Sequence, residues 1–304
     1  MRFKRLDLNL LVALDVLLAE RSITRAARRL NLSQSATSGV MARLREYFDD
    51  ELLVQVGRNM VPTPLADSLA QPVRSVLLQI QSTIETKPGF DPLTSERHFR
   101  VVASDYPATV ILAECARQLK LRAPGVTLET IAPDDAAFQL LERAEVDLLI
   151  MPTSFLSDEH PRETLYEDSY TCAVWKDNSI VGDTLTLEQY MALGHVTVRF
   201  GANRQAAFEE NFLTGAGLAR RIEVTAASFS TQPQFIIGTD RAATMHLRLA
   251  RVFAGYYPLR LLALPVEIPS LQMSMQWHKS MDKDLSHMWL RALLRELALP
   301  VSHA

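Results

Sequence analysis

Apolar residues recur at helical spacing through the first 30 positions of the chain. They are Leu11, Leu14 and Leu18 in one stretch and Ile23, Ala26, Ala27 and Leu30 in the next. Between this second stretch and the following one, Asn31 can adopt a left-handed backbone and Ser33 can cap a new helix. The pattern predicts two short helices and a tight helix-turn-helix connection.

The third helix has Ala36, Val40 and Leu44 four residues apart, which predicts that these three side chains are buried. The side chains then left outward, beside Arg43 and Arg45, are Gln34, Ser35, Thr37, Ser38 and Met41. Short polar side chains can hydrogen-bond base edges in the major groove, and arginines can meet phosphates. The face therefore predicts DNA reading, with simple exposure to water as the alternative.

Residues 52–64 contain two β-prone runs around a turn formed by Gly57, Arg58 and Asn59. This arrangement predicts a hairpin wing. Arg58 at its tip can enter the minor groove or hold a phosphate. With the three helices, the hairpin predicts an all-α, winged helix-turn-helix DNA-binding domain over residues 1–64.

A linker helix is predicted over residues 65–87. Its apolar positions Leu69, Val73, Val76 and Ile80 form a stripe suited to the same helix of a second copy, which favours a homodimer. Packing on the chain's own C-terminal domain is the alternative, and Pro72 predicts a kink. Breakers in residues 85–95 indicate a hinge, so the last domain is expected to span 88–304.

An alternation of strands and helices follows the hinge, which predicts two α/β lobes. The predicted strands are residues 99–103, 126–131, 146–151, 170–175, 195–200, 221–224, 242–245, 260–264 and 271–278, and the predicted helices are 110–121, 136–143 and 285–297. Ligands of open α/β sheets bind beyond the carboxyl ends of strands. The candidate effector-binding residues at such ends are Ser104, Asp105, Tyr106, Pro152, Thr153, Phe200, Asn203, Arg204, Met245 and His246.

Six of these candidates have a role that follows from their chemistry. Ser104 and Thr153 can hydrogen-bond a hydroxyl, Tyr106 can stack on a ring as Phe200 can, and Arg204 or His246 can hold a phenolate or carboxylate. Ordinary packing or solvation is the alternative for each residue taken singly.

Charge is divided unevenly along the chain. Residues 1–60 carry ten Lys or Arg and seven Asp or Glu, a net charge of +3. Because the whole chain has a net charge of −3, the remaining residues carry −6. A basic N-terminal region on an acidic body suits phosphate binding by that region alone.

The absence of a signal-like apolar run predicts a cytoplasmic protein without membrane contact. Cys115 and Cys172 suit buried thiols rather than a disulfide framework or zinc site.

Catalytic and metal motifs are missing from the sequence. It has no G-x-S-x-G, phosphate-binding glycine loop or H-E-x-x-H, so we expect no enzyme activity, no cofactor and no metal. Asp134 and Asp135 suit a helix start better than an acid–base pair, and His278 and His287 are poorly spaced for a metal. The alternative functions are an enzyme acting on an aromatic substrate, which predicts turnover, and an aromatic-ligand-binding protein without DNA activity.

Several motifs resemble the LysR-type transcriptional regulators. They are residues 7–11 (DLNLL), 26–27 (AA), 32–36 (LSQSA) and 62–64 (PTP), with Ser35 where the family often has proline and Gln55 where it often has arginine. The resemblance implies a dimer helix at 65–87 and a periplasmic-binding-protein-like pair of lobes that clasps an effector. The expected DNA contacts are Thr24, Arg25, Ser33, Gln34, Ser35, Thr37, Ser38, Arg43 and Arg58.

Further motifs resemble the nodulation regulators and the regulators of aromatic and chloroaromatic degradation. They are residues 92–97 (PLTSER), 194–196 (GHV), 220–223 (RRIE) and 247–250 (LRLA), although His246 replaces a frequent proline and Ser169 a histidine. This subgroup implies a phenolic inducer such as a flavonoid, a salicylate-like acid or a chlorinated phenol or hydroquinone. We expect a sequence-specific transcriptional activator, a homodimer or homotetramer whose partners are double-stranded promoter DNA, that inducer and RNA polymerase.

Overall fold

The protein is described by a computed structural model that covers residues 7–57, 59–85, 89–134, 136–200 and 205–299, without the side chains of residues 79, 81–85 and 200. The chain divides into two compact units, Met1–Lys87 and Pro88–Ala304. We call them the N-terminal and C-terminal units.

The N-terminal unit consists of four helices and a two-stranded antiparallel hairpin. In chain order these are α1 Leu8–Glu20, α2 Ile23–Arg29, α3 Gln34–Phe48, β1 Leu53–Val56, β2 Asn59–Pro62 and α4 Pro64–Glu85. The predicted turn is confirmed, because Asn31 has φ 55° and the Ser33 side chain accepts the backbone N–H of Ala36. The predicted hairpin is confirmed as well.

The buried face of α3 differs from the prediction by one residue. Thr37, Met41 and Leu44 are buried, whereas Ala36 is exposed and Val40 only half-buried. The expectation that Thr37 and Met41 face outward is therefore wrong. A threonine can take a core position here because its hydroxyl donates to the carbonyl of Ser33, one turn earlier, so no polar atom is left without a partner.

Helix α4 packs on α1 within the same unit. Ala66 and Val73 are buried, and the guanidinium of Arg74 makes a two-pronged ion pair with Asp15 of α1 at 2.7 and 2.5 Å. Part of the predicted stripe thus lies against the unit's own core, while Val76 is 42% exposed. Pro72 lies inside the helix, which continues through it.

Two lobes form the C-terminal unit, and each is built on one sheet. Lobe A has strands in the order β4-β3-β5-β13-β6, where β3 is His98–Ala103, β4 Thr127–Ile131, β5 Leu148–Pro152, β6 Arg162–Asp168 and β13 Leu271–Gln276. Its helices are the short α5 Asp105–Pro107, continued by a π-helical segment Ala108–Leu112 into α6 Ala113–Arg122, then α7 Ala137–Glu142 and α12 Leu285–Ala298.

Lobe B has strands in the order β10-β8-β11-β7-β12, with β9 on β8. Its strands are β7 Tyr170–Trp175, β8 Gly194–Phe200, β9 Gln205–Ala206, β10 Arg221–Ala226, β11 Ala242–His246 and β12 Leu259–Leu262, and its helices α8 Leu187–Ala192, α9 Phe208–Gly215, α10 Gln232–Ile236 and α11 Leu247–Ala254. The chain crosses between the lobes twice, after β6 and after β12.

The predicted α/β alternation is confirmed, since every predicted strand of this unit overlaps an observed one. Strand β6 was not predicted from the sequence. It lies at the edge of its sheet and carries four charged residues in seven, which suits an edge strand but hides the usual β pattern.

Candidate functional site

The N-terminus of α3 presents a polar surface. Ser33, Gln34, Ser35 and Ser38 are exposed. The Ser33 and Ser35 hydroxyls lie 3.0 Å apart, and Ser38 Oγ donates to the carbonyl of Gln34 at 2.9 Å. The amide of Gln34 thus stands at the surface with short hydroxyl groups on either side. Thr37 does not join them, because it is fully buried.

Basic residues next to this surface differ in their partners. Arg25, whose side chain is 62% exposed, pairs with the Glu20 carboxylate at 3.3 Å and also donates to the Glu20 carbonyl. An exposed ion pair of this kind contributes little to stability, so a DNA phosphate can replace the carboxylate. Arg43 is exposed and, over the described residues, makes no ion pair. Thr24 is exposed beside Arg25.

Arg45 serves the hairpin rather than the reading surface. Its guanidinium donates to the carbonyls of Glu51 and Leu53 at 2.9 and 3.0 Å and pairs with the Glu51 carboxylate at 3.0 Å. The last half of α3 therefore positions β1. Gln55 donates to the carbonyl of Gly57 at 3.2 Å, and Gly57 has φ 62° as the turn requires. The predicted contact Arg58 lies outside the described residues.

A cavity of about 380 Å³ is lined by both lobes of the C-terminal unit. Four of the effector-binding candidates line it: Ser104, Tyr106, Pro152 and His246. They come from the ends of β3, β5 and β11, as expected for ligand sites of open sheets. The side chain of Phe200, and the whole of Asn203 and Arg204, lie outside the described part of the chain.

Three other candidates have structural roles away from the lining. Asp105 accepts the backbone N–H and the hydroxyl of Ser230 at 2.6 and 2.7 Å, which joins lobe A to lobe B. Thr153 Oγ1 lies 2.6 Å from Ser274 Oγ and donates to the Gln272 carbonyl at 3.1 Å. Met245 is fully buried in the core of lobe B. They lie outside the lining of this cavity, because a strand-end position does not fix which way a side chain points, and their part in effector binding stays a prediction.

His246 is enclosed by aromatic rings. It stacks on Tyr106 at 3.9 Å and 5° between planes, and the Phe229 ring lies edge-on at 4.8 Å. Burial lowers the pKa of His246 to about 3, so the imidazole is neutral at pH 7. A neutral His246 can hold a phenolate or carboxylate by a hydrogen bond but not by charge, and this role stays a prediction. Its Nδ1 has no hydrogen-bond partner within the described residues and lies beside the cavity.

A buried hydrogen-bond group supports Tyr106. The phenol donates to Asp168 Oδ2 at 2.6 Å, and Asp168 also accepts the backbone N–H of Arg248 at 3.2 Å. Burial raises the pKa values of both Tyr106 and Asp168. The Arg248 guanidinium lies 4.6 Å over the Tyr166 ring. Because Tyr106 is fixed at both its face and its hydroxyl, it forms a rigid wall.

Most of the lining was missed by the sequence reasoning. The additional residues are Pro133, Asp134, Ala137, Phe138, Ile150, Met151, Phe155, Gln205, Ala206, Ala207, Phe208, Phe229, Leu271 and Met273. Four phenylalanines and several aliphatic side chains are interrupted by few polar groups, which suits a flat, mostly apolar ligand with one or two hydrogen-bonding substituents. Asp134 Oδ1 accepts the N–H of Ala136, but α7 begins at Ala137 and has no side-chain cap, so the expectation that Asp134 starts this helix is wrong.

Glu209 was also missed. It follows the lining residue Phe208 at the start of α9, is 1% exposed, and its Oε2 has no partner in the described structure. Burial raises the pKa of Glu209 to about 7, while Arg220 acts in the opposite direction. Tyr170, which stacks on Phe208, likewise has an unpartnered hydroxyl. The region behind Phe208 is thus polar, buried and incompletely hydrogen-bonded.

Comparisons with known proteins identify the family. The protein-family model described as "Bacterial regulatory helix-turn-helix protein, lysR family" matches residues 8–67, and the family model of the LysR substrate binding domain matches residues 94–298. Nodulation protein D 2 of Rhizobium tropici is 45% identical over 303 residues, covering 99% of this chain and 96% of that protein. These matches confirm the resemblance found in the sequence.

Solved structures agree with the fold. A probable transcriptional regulator from Pseudomonas aeruginosa has a TM-score of 0.64 at 29% identity, covering 96% of this chain and 97% of its own. Full-length OxyR from the same organism has a TM-score of 0.70 over 97% of this chain and 95% of its own, and at 15% identity it supports the fold alone. The predicted fold class, a helix-turn-helix domain with a two-lobed α/β domain, is confirmed.

The relatives and structural neighbours are regulators, which supports the prediction that the chain is not an enzyme. Across the described residues, we find no helix with both the length and the apolar character needed to cross a membrane. The chain belongs to the LysR family and is a DNA-binding transcriptional regulator.

Proposed function

We propose that this regulator activates transcription in the cytoplasm when a planar phenolic inducer occupies the cavity between lobes A and B. The observation that carries this proposal is the lining, in which aromatic rings from both lobes surround a neutral His246. A mostly apolar site favours a flat ring with few polar substituents over a highly charged metabolite. The similarity to nodulation protein D, at 45% identity, agrees with such an inducer.

The polar surface of α3 supports the DNA-reading part of the proposal. Gln34 can pair with an adenine edge, Ser35 and Ser38 can donate or accept, and Arg43 can meet a phosphate. Thr24, Arg25 and Ser33 lie exposed near them and complete the described part of the contact surface. Thr37 is left out, because it has no accessible atom to offer a base.

A homodimer or homotetramer supplies the second reading surface. Leu65 and Val76 of α4 are 38% and 42% exposed, and at eleven residues apart they share one face of the helix. An apolar face left outward on a helix suits the same helix of a second copy. Two-fold symmetry then places two α3 helices on successive major-groove faces of a palindromic site.

Coupling between inducer and DNA requires two states that bind the inducer with different affinity. The cavity is lined by both lobes, so an inducer contacts lobe A and lobe B together. We propose that occupancy changes the lobe arrangement, that this changes the spacing of the reading helices in the oligomer, and that RNA polymerase recruitment follows.

The test is a salt series of DNA-binding titrations with the full chain, on DNA from upstream of its own and neighbouring genes, with and without a panel of phenols. We expect specific, salt-dependent binding whose pattern changes with one phenol, and increased transcription in vitro when RNA polymerase is added. If no specific binding is found at any salt concentration, the proposal that the α3 surface reads DNA is wrong. Specific binding that no phenol alters would overturn the inducer class.

Two variant pairs locate the sites. Gln34→Ala is expected to weaken specific DNA binding by about 1–3 kcal/mol without changing binding to random DNA. Gln272→Ala, which changes an exposed glutamine of β13, is its control.

Phe208→Ala removes a lining ring and should weaken phenol binding at least tenfold, since burying such a ring contributes about 1.5–3 kcal/mol. Phe235→Ala is its control, because Phe235 is exposed and lies outside the lining. Equal loss in a variant and its control contradicts the assignment.

A further inference from the structure

Two histidines and a glutamate that are distant in sequence meet at one edge of lobe A. Glu142 is the last residue of α7, His160 precedes β6, and His278 follows β13. One ligand atom from each, two imidazole nitrogens and a carboxylate oxygen, lie within 4.8 Å of one another. Both histidines are buried, at 7% and 3% exposure, and Glu142 is half-buried. None of the three lines the cavity.

The local contacts hold these side chains in place. His160 Nε2 lies 2.7 Å from Glu142 Oε1, and the two imidazole rings are 4.7 Å apart. Gln276 donates to the carbonyls of Ser157 and His160 at 2.6 and 3.2 Å, which fastens the loop of His160 to β13. Nδ1 of His160 is buried without a hydrogen-bond partner in the described structure. This nitrogen lies on the other side of the ring from Nε2, the atom that faces Glu142.

Ser280 holds the His278 ring in place. Its backbone N–H donates to His278 Nδ1 at 3.2 Å, and its hydroxyl lies 2.8 Å from the same nitrogen. These two contacts fix the orientation of the ring.

We propose that Glu142, His160 and His278 form a binding site for a divalent late transition metal such as Zn²⁺. Two imidazoles and one carboxylate are a donor set that this class of ion accepts, with a water molecule in the fourth position. Tetrahedral Zn²⁺ places its ligand atoms roughly 3.3 Å apart. The His160–Glu142 pair, 2.7 Å apart, opens by about 0.6 Å to reach that spacing, and the widest pair, within 4.8 Å, closes by up to about 1.5 Å.

The three proposed ligands belong to segments next to those that line the cavity. Glu142 ends the helix that carries the lining residues Ala137 and Phe138, and His278 follows the strand that carries Met273. A bound ion therefore joins two walls of the cavity to the loop before β6. It stabilises lobe A because it binds the folded chain and not the unfolded one.

Zinc titration of the full-length protein, stripped with a chelator and measured without DNA or phenol, tests the site independently of the proposed function. We expect one Zn²⁺ bound per chain, in competition with a chromophoric chelator, and a Tm that rises with Zn²⁺ concentration. Mg²⁺ at the same concentration should leave Tm unchanged, because it prefers an octahedral set of oxygens. No Zn²⁺ binding to the wild-type chain overturns the proposal.

Variants separate this cluster from other histidines. Glu142→Gln keeps a hydrogen bond to His160 but removes the anionic ligand, so Zn²⁺ affinity should fall more than tenfold, and His278→Gln should do the same. His98→Gln is the control, since His98 pairs with Glu129 on the exposed surface of the same lobe and should leave affinity unchanged. Unchanged Zn²⁺ affinity in Glu142→Gln, which is expected to fold normally, assigns the metal elsewhere and overturns the proposal.

Discussion

The polar side chains of the α3 surface are exposed to water, whereas those in and beside the cavity are buried. Gln34, Ser35 and Ser38 remain in water at the surface of the N-terminal unit, whereas His246 and Glu209 are taken out of water in the C-terminal unit. Groups in water exchange partners at little cost, which suits a surface that must sample many DNA sequences. Buried groups favour their neutral forms, because burial lowers the pKa of His246 and raises the pKa of Glu209. A cavity built in this way selects ligands by shape and apolar contact before charge.

The largest effect is expected from Met41, on the buried side of α3. Met41→Ala removes a core side chain that is 3% exposed and should lower the free energy of unfolding by about 2–5 kcal/mol. Urea unfolding followed by circular dichroism measures the change. Met288→Ala on α12 is the control, since Met288 is 44% exposed and should cost less than about 0.5 kcal/mol. Equal costs would mean that α3 is rotated from the position described.

Glu209 tests whether the buried polar groups are neutral. Burial raises the pKa of Glu209 to about 7, well above that of a glutamate in water, so between these two pKa values the folded chain keeps a proton that the unfolded chain releases. This contribution to stability is complete below about pH 4.5 and is lost as the pH rises through 7. Glu209→Gln cannot ionise, so its stability relative to the wild type should rise by about 3 kcal/mol between pH 4.5 and pH 8.

The measurement for Glu209 is a series of urea unfolding curves across that pH range. Glu188→Gln, a substitution of an exposed glutamate in α8, should run parallel to the wild type. If Glu209→Gln also runs parallel, the Glu209 carboxylate is charged in the folded state and the contrast between surface and cavity fails.

Ser33 and Ser38 separate folding from reading at the α3 surface, with the smallest expected effect on stability. Ser33→Ala removes the N-cap acceptor of the Ala36 N–H and should cost about 1 kcal/mol. Ser38→Ala loses only an exposed hydroxyl that donates to its own helix, so stability should change by less than about 0.5 kcal/mol. Thermal unfolding and operator titration on both proteins check the pair, and a larger stability loss for Ser38→Ala would reverse the assignment.

The sequence predicts the N-terminal unit better than the cavity because the signals there are local. The turn at Asn31 and the cap at Ser33 depend on residues within a few positions of each other, and both are confirmed. The phase of α3 was missed because the burial of Thr37 depends on a hydrogen bond that satisfies its hydroxyl. An apolar periodicity does not carry that information.

The cavity is assembled from segments that the sequence keeps far apart. Phe138, Phe208 and Met273 come from three elements on two lobes, and no local pattern brings them together. Strand-end reasoning finds Tyr106 and His246, whose positions follow from topology. It does not predict where Asp105 and Thr153 point, because the direction of a side chain at a strand end depends on the partner that it meets in the other lobe or on the neighbouring strand.

Arg45 bears on how operator specificity can change among related regulators. Because its guanidinium holds the carbonyls of Glu51 and Leu53, the hairpin takes its orientation from the same helix that presents Gln34. A transplant of α3 from a relative therefore transfers the placement of the hairpin as well as the side chains that we propose to read bases. Chimeras that keep an arginine at position 45 should keep the hairpin in place, and chimeras that lose it should present the same α3 surface beside a misplaced hairpin.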